Sequence, residues 1–388
     1  MNKLNKNDLI NLRQIGDSHA DDFVNQVISK HELTELNTFF KKLIYNQQVE
    51  NDNIPADFSE YIKTNSKLPP WADYSKIKLA QEVFTRTGPA FVIAYFCKSL
   101  PECYACGKGA EILFKTGRLS KHTRRRIAQT AQFVLDVMSP GGLEAGGRGI
   151  ATALKVRIMH ASIRYYFINE VNKGNIDYDV NNMGLPINQE DLLGTMLAFS
   201  SVVIQGMEKL GDKFTTEEKE AILHLWKCTG YLIGIEEKYM PETYPDAGEV
   251  WEMIKEGNFE STRYGIELNN ELIALLDEIL HQPVLDDVIT IMMHHLLDKD
   301  AIKILKVRTL KRFNLLAIVA YILGLSFLKF ESRGFFGKLA SRYVNLKLLY
   351  GLEKYIAEGE DTGIYIPPSL REDWKVENPL MSLFNMRN

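Results

Sequence analysis

The chain has 388 residues, of which 45% are hydrophobic and 25% charged, a balance typical of a soluble globular protein. Its length suits one large domain or two ordinary ones. The formal net charge of −4 gives a phosphate backbone no overall attraction, and four irregularly spaced cysteines do not make a disulfide framework, so neither a nucleic-acid partner nor a disulfide-stabilised fold is expected.

The first part of the chain is predicted to be helical, with one polar interruption. Apolar stripes predict helices within residues 8–49, and the proline-containing stretch 51–70 predicts a surface segment. A helix over residues 77–96 should kink or restart at Gly88-Pro89. The pair Cys103 and Cys106 is interpreted as reduced thiols, because a zinc site needs a second pair.

Two helices in the middle of the chain carry the most informative residues. The first covers residues 121–138, and the second follows the glycines at 146–149 and runs to residue 167. On the second helix Arg157, His160 and Arg164 share one stripe. An imidazole between two guanidiniums suits a metal ligand whose cofactor carries carboxylates, such as haem propionates. From these residues alone, a core histidine flanked by two solvent-reaching arginines is the alternative.

The rest of the chain continues the helical pattern. Asn188 is predicted to cap a helix that is apolar nearly all round and therefore central. Further helices are predicted over residues 215–235, 247–257, 269–281, 284–297 and 339–355. The apolar run within residues 313–330 falls short of the roughly 20 residues that span a bilayer. We interpret it as a buried core helix, with an interfacial segment in peripheral membrane contact as the alternative.

One set of motifs resembles a known family. The pattern Arg126-x-x-Gln129-Thr130, followed thirty residues later by His160, resembles the latex-clearing-protein (rubber oxygenase) and MpaB-type oxygenase family. Further stretches resemble it in the same order, namely residues 68–71, 116–119, 188–195 and 224–234. The resemblance covers roughly half of the chain, from Leu68 to Met253. With the helical periodicity, it predicts an all-α fold: a single large multi-helix domain with a globin-like haem-binding core.

The resemblance also implies a cofactor and its surroundings. It implies haem b, with His160 as the proximal ligand of the iron and Arg126 and Thr130 in a polar cluster on the opposite face. Arg157 and Arg164 are expected to bind the haem propionates, an inference from their shared stripe with His160 rather than from the family.

A general base is implied shortly before the helix that carries Arg126. Glu111 is the nearest carboxylate, although its spacing is one residue off. The alternative for Glu111 is a helix acid near Lys108 or Lys115.

Position 129 departs from the family. Rubber oxygenases have a lysine immediately before the threonine, able to occupy the sixth iron site, whereas this chain has Gln129. An amide has no basic nitrogen lone pair to offer a metal. The expected substrate is therefore an isoprenoid or another hydrophobic compound rather than rubber specifically.

The sequence as a whole predicts a haem-b-dependent, dioxygenase-type oxygenase that uses O₂ to cleave a carbon–carbon double bond in a hydrophobic or polyprenoid substrate. A non-catalytic haem-binding sensor or carrier is the alternative, and a helical interaction protein without a cofactor is a third. The expected organisation is an N-terminal extension over 1–67, a haem-binding core over 68–300 and a C-terminal helical region over 301–388. Residues 1–12 lack the apolar core of a signal peptide, which favours a cytoplasmic location.

Overall fold

Helices account for the regular structure in the computed structural model, which describes residues 4–30, 56–117, 123–280 and 287–309. Within these ranges there is no β-strand, only an isolated bridge between Cys106 and Phe259. The all-α prediction is confirmed. The helices predicted over 313–330 and 339–355 lie outside the described residues. None of the helices in the described ranges is long and apolar enough to cross a membrane.

The described ranges contain a succession of helices. In chain order they are α1 (Lys6–Leu12), α2 (Ser18–Lys30), α3 (Ala56–Asn65), α4 (Tyr74–Ala94), α5 (Leu100–Ala105), α6 (Gly107–Gly117), α7 (Thr123–Met138), α8 (Arg148–Asn172), α9 (Val180–Met183), α10 (Gln189–Leu197), α11 (Val203–Leu210), α12 (Thr216–Leu232), α13 (Tyr244–Asn258), α14 (Arg263–Leu280), α15 (Val288–Leu296) and α16 (Lys299–Ile304). Two π-helical turns, Tyr95–Ser99 and Ala198–Val202, connect α4 to α5 and α10 to α11.

Local sequence signals explain where several helices begin. Asn188 caps α10 by accepting a hydrogen bond from the backbone N–H of Asp191 at 2.9 Å, as predicted. Thr215 and Glu218 form a reciprocal capping box at the start of α12. Helix α4 does not restart at Gly88-Pro89, because it continues through the proline to Ala94. The change of helical geometry comes immediately afterwards, in the π-helical turn.

A single large apolar cluster joins the N-terminal helices to the rest. Leu9 and Leu12 of α1 and Phe23 of α2 belong to the same buried cluster as Trp226 of α12 and Trp251 of α13. Helix α2 packs on α8, and α4 packs on α12. The described helices of the segment predicted as an N-terminal extension, α1, α2 and α3, therefore contribute to the core.

Candidate active-site cavity

A cavity of about 320 Å³ lies among the middle helices of the fold. Helices α6, α7, α8 and α10 form most of its wall, and α12 and α13 complete it. Most of the wall is apolar, with Leu113, Phe133, Ile163, Phe199 and Trp226 among its residues. The volume is within the range of sites that bind small molecules. A few polar side chains share this apolar wall, and they determine what chemistry the cavity can support.

Close contact between α7 and α8 brings the predicted site residues together. A Cβ on Gly149 would lie 2.7 Å from the carbonyl oxygen of Asp136, so only glycine allows the start of α8 to approach the end of α7 this closely. The carboxylate of Asp136 accepts hydrogen bonds from Thr152 and from Gln132, both at 2.7 Å. These contacts fix the two helices side by side, so residues from both reach the same cavity.

His160 faces this cavity from α8. Its side chain is only partly exposed, and it lies in the cavity wall. Its Nδ1 is buried and has no hydrogen-bond partner. Burial, and then the positive charge of Arg164, lower the pKa of His160 to about 3. The imidazole is therefore neutral at physiological pH and keeps a nitrogen lone pair for a metal. A neutral imidazole in an apolar wall fits the proximal ligand of a b-type haem.

The two arginines that flank His160 have partners in the protein itself. Arg157 donates from Nε and Nη2 to the two carboxylate oxygens of Asp17, at 2.6 and 2.9 Å. Arg164 donates from Nε to Asp21 at 2.8 Å and from Nη1 to the carbonyl oxygen of Ile187 at 2.9 Å. Neither arginine lines the cavity.

The predicted stripe therefore exists, but its arginines face the N-terminal segment. In the structure Arg157 and Arg164 bind protein carboxylates, and their expected contact with cofactor carboxylates stays a prediction. Asp17 and Asp21 lie more than 130 residues away along the chain, so helical periodicity could not reveal them.

The residues predicted on α7 do lie in the cavity wall. Arg126, Gln129 and Thr130 line it together with His160. Arg126 donates from Nη1 to the carbonyl oxygen of Leu113 at 2.7 Å, and the hydroxyl of Thr130 donates to the carbonyl oxygen of Arg126 at 2.8 Å. Burial lowers the pKa of Arg126. Within the described residues no carboxylate forms an ion pair with this guanidinium.

Glu111 lies outside the cavity wall. It forms an ion pair with Lys115, one helical turn later, at 2.6 Å. The face of α6 that lines the cavity carries Ile112, Leu113 and Thr116 instead. Because neighbouring residues on a helix point in different directions, the nearest carboxylate in sequence is on the wrong face.

Two carboxylates that the sequence analysis did not assign do line the cavity. Glu190 accepts a hydrogen bond from Arg13 Nη1 and another from Asn258 Nδ2, both at 2.5 Å. Asp191 lies 3.1 Å from the same Arg13 nitrogen. Burial raises the pKa of Glu190, and the charge of Arg13 opposes that shift. Both acids lie in the stretch 188–195 that carries the family resemblance. Two adjacent carboxylates at the start of an otherwise apolar helix were the sequence signal that could have identified them.

Cys103 and Cys106 also line the cavity, as free thiols. Burial raises the pKa of Cys103 to about 12 and that of Cys106 well above its usual value. Both thiols are therefore protonated at neutral pH. Their interpretation as reduced thiols at a helix end agrees with the position of Cys106 at the end of α5.

Comparisons with known proteins show the family to which the chain belongs. Residues 105–334 match the family described as the catalytic domain of the ER-bound oxygenase mpaB/B′ and rubber oxygenase. The rubber oxygenase of Streptomyces sp. (strain K30) is 23% identical over 267 residues, which are 68% of this chain and 64% of that protein. The chain thus matches less than two thirds of that relative's length.

A solved structure gives the same fold. The structure of latex clearing protein LCP in the closed state aligns with 92% of this chain and 95% of its own, with a TM-score of 0.71 and 20% identity. At that identity the likeness establishes the all-α single-domain fold.

Proposed function

The chain belongs to the mpaB and rubber oxygenase catalytic-domain family, and from that premise we propose that it is a haem-b-dependent oxygenase that uses O₂ to cleave a carbon–carbon double bond in an isoprenoid or other hydrophobic substrate. One observation carries the proposal. His160, neutral and with an unused ring nitrogen, faces the same apolar cavity as Arg126, Gln129 and Thr130.

The residues present fit a b-type haem held without covalent attachment. His160 would be its ligand, and the apolar side chains of the wall would surround the macrocycle. When bound, the haem would supply the redox chemistry with O₂ that amino-acid side chains lack. Arg157 and Arg164 hold the His160 helix against α2, so in this proposal they support the ligand rather than bind the propionates.

The cavity wall has the properties that a hydrophobic alkene requires. Apolar side chains such as Phe133 and Ile163 bind the substrate chain and exclude water. Arg126 has donors beyond the one bound to Leu113 that can orient polar atoms near the reacting bond, and the Thr130 hydroxyl oxygen can accept a hydrogen bond there. For an isoprenoid double bond the net reaction is R–C(CH₃)=CH–R′ + O₂ → R–CO–CH₃ + R′–CHO, in which the double bond breaks and each carbon gains one oxygen atom.

A carboxylate completes the proposal as the group that exchanges an allylic proton. Glu190 suits this role better than Glu111, because it lines the cavity while Glu111 is paired with Lys115 outside it. Arg13 and Asn258 each hold one of its oxygens, and a carboxylate has further lone pairs that can accept a proton.

An absorption spectrum and a turnover assay test the proposal together. We expect the purified protein to show a Soret band and a b-type pyridine haemochrome at about one haem per chain, given one His160 site. After anaerobic reduction, addition of O₂ and squalene should give carbonyl products that a hydrazine reagent traps. Haem without carbonyl products from squalene or unsaturated lipids would favour a non-catalytic haem carrier, and protein without haem would overturn the proposal.

A further inference from the structure

Arg126, in the cavity wall, differs from three other largely buried arginines that have carboxylate partners. Arg13 pairs with Glu190, Arg157 with Asp17, and Arg164 with Asp21. Arg126 makes one hydrogen bond, to the neutral carbonyl oxygen of Leu113. A charge removed from water is costly unless an opposite charge or several hydrogen bonds compensate for it. Arg126 thus lacks the compensation that the other three have.

The acidic groups around the cavity are already engaged. Glu190 is held by Arg13 and Asn258, and Asp191 accepts a hydrogen bond from Asn188 Nδ2 at 2.9 Å. Tyr104, which also lines the cavity, is a neutral phenol, because burial raises its pKa to about 12. No protein anion in the described cavity wall is therefore left for Arg126.

We propose that Arg126 is a carboxylate-binding group, and that a ligand of this cavity carries a carboxylate on an apolar body. The inference extends the proposed function. The possibility that the carboxylate belongs to the haem depends on that function. The rest of the wall is apolar, so a small hydrophilic acid would leave most of it without complementary contacts.

The way in which Arg126 is held suits this role. The hydrogen bond from Nη1 to Leu113 fixes the guanidinium plane and uses one of its five donors. The remaining donors can meet both oxygens of a carboxylate in the planar, bidentate arrangement that arginine favours. Two sources supply this chemistry: the head group of a long-chain unsaturated acid bound as substrate, and a propionate of the haem.

Calorimetric titration with oleate and with methyl oleate tests the first source. The proteins are the wild type, Arg126→Gln and, as a matched control, Arg124→Gln. Arg124 is on the same helix but pairs with Glu278 and does not line the cavity. We expect Arg126→Gln to weaken oleate binding about 10- to 100-fold, the value of a hydrogen-bonded charge. Methyl oleate should bind all three proteins alike.

The pyridine haemochrome of the same proteins tests the second source. Loss of haem from Arg126→Gln alone, with unchanged oleate binding, identifies the propionate as the carboxylate. Equal oleate affinity and equal haem content in Arg126→Gln and Arg124→Gln would overturn the inference. A wild type that binds oleate but contains no haem would contradict the proposed function and leave the carboxylate site intact.

A second variant, Arg126→Lys, can test the inference if Arg126→Gln does not fold. Arg126→Lys retains the positive charge and loses the planar fork. It should bind oleate more weakly than the wild type while methyl oleate affinity stays the same. Unchanged oleate affinity and haem content in that variant would show that the guanidinium does not hold a carboxylate.

Discussion

The polar groups on the two sides of helix α8 differ in whether they have partners within the protein. On the side turned to α2, Arg157 and Arg164 each meet an aspartate, and the charges are neutralised within the protein. On the side turned to the cavity, the Nδ1 of His160 has no partner. Arg126, on the neighbouring helix, likewise meets only a backbone carbonyl.

Under the proposed function, the difference separates residues that stabilise the fold from residues that a ligand would contact. Buried polar groups are nearly always hydrogen-bonded, because leaving one unsatisfied costs about 1–3 kcal/mol. Three arginines of this chain have carboxylate partners. His160 Nδ1 has no hydrogen-bond partner and Arg126 has no carboxylate, so the free-energy cost of incomplete pairing falls on the cavity wall. A bound group that supplies the missing partners would recover it.

The largest expected effect is on the cavity side, at His160. Replacing His160 with Ala should abolish stoichiometric haem without unfolding the helices, because it removes the proposed iron ligand. The measurement is the pyridine haemochrome of purified protein, with circular dichroism as a check on folding. His19→Ala is the matched control, because His19 is an exposed histidine that contacts Asn65 and Tyr61 far from the wall. Full haem retention in His160→Ala would remove the ligand assignment.

Breaking the buried ion pair between Arg13 and Glu190 should destabilise the fold. This ion pair joins Arg13, at the end of α1, to Glu190 in the cavity wall, and both are nearly fully buried, with 6% and 4% of their side chains exposed. Arg13→Met leaves Glu190 and Asp191 without their cation, which should cost about 3–5 kcal/mol in urea unfolding.

The control for this change is an exposed ion pair. Lys6 and Glu256 are more than half exposed, so Lys6→Met should change the free energy of unfolding by about 1 kcal/mol or less. If Arg13→Met costs no more than Lys6→Met, the buried pair does not stabilise the wall.

Thr130 tests the cavity side through the rate of reaction. Thr130→Val keeps the shape of the side chain and removes its hydroxyl, so haem should be retained while turnover of squalene falls about 10²- to 10³-fold, the order of magnitude for losing one hydrogen-bonding group near developing charge. Thr87→Val is a matched control, because Thr87 makes the same kind of bond to a carbonyl one turn earlier, on α4. Equal turnover in the two variants would show that Thr130 has only a helical role.

Gln129 gives a spectroscopic test of the same wall. An amide is a poor iron ligand and a deprotonated amine is a good one. We expect the ferric wild type to be five-coordinate or to carry exchangeable water, and imidazole to bind it readily. Gln129→Lys should shift the EPR spectrum toward a six-coordinate, low-spin form. A wild-type signal that is low-spin, nitrogen-ligated and insensitive to imidazole would contradict the position of Gln129 near the iron.

The smallest expected effect concerns His224, a histidine that, unlike His160, has a hydrogen-bond partner for its partly buried ring nitrogen. Its Nε2 accepts a hydrogen bond from the backbone N–H of Asp73 at 2.8 Å. Burial, followed by the charges of Lys76 and Lys227, lowers the pKa of His224 from 6.5 to about 4. Folding therefore favours the neutral ring, and its contribution to stability is fully present above pH 6.5 and is lost as the pH falls through about 4.

Urea unfolding measured above and below this pH window checks the effect. The full pKa difference corresponds to about 3 kcal/mol, and partial exposure of the ring reduces the expected loss to about 1–2 kcal/mol. His224→Gln should lose less stability than the wild type over the same interval. An identical pH dependence in the two proteins would assign the acid sensitivity to other groups.

Much of this arrangement could be read from local sequence. The helical periodicity identified α7 and α8, and the spacing of Arg126, Gln129, Thr130 and His160 placed four residues that the structure brings into one cavity. The function of Asn188 as a helix cap was equally local. His224 lies on a largely apolar helix, where a histidine is expected to have a structural hydrogen bond, and the backbone N–H of Asp73 provides one.

The sequence by itself determined which residues share a helix face, because 3.6 residues per turn fixes that relation within a few residues. Only the tertiary structure decided what each face meets. Asp17 reaches Arg157 across 140 positions and Arg13 reaches Glu190 across 177, and no periodicity within one helix encodes such a pairing. Whether an arginine stabilises the fold or faces a ligand depends on the element packed against it, and that choice is made only when the helices assemble.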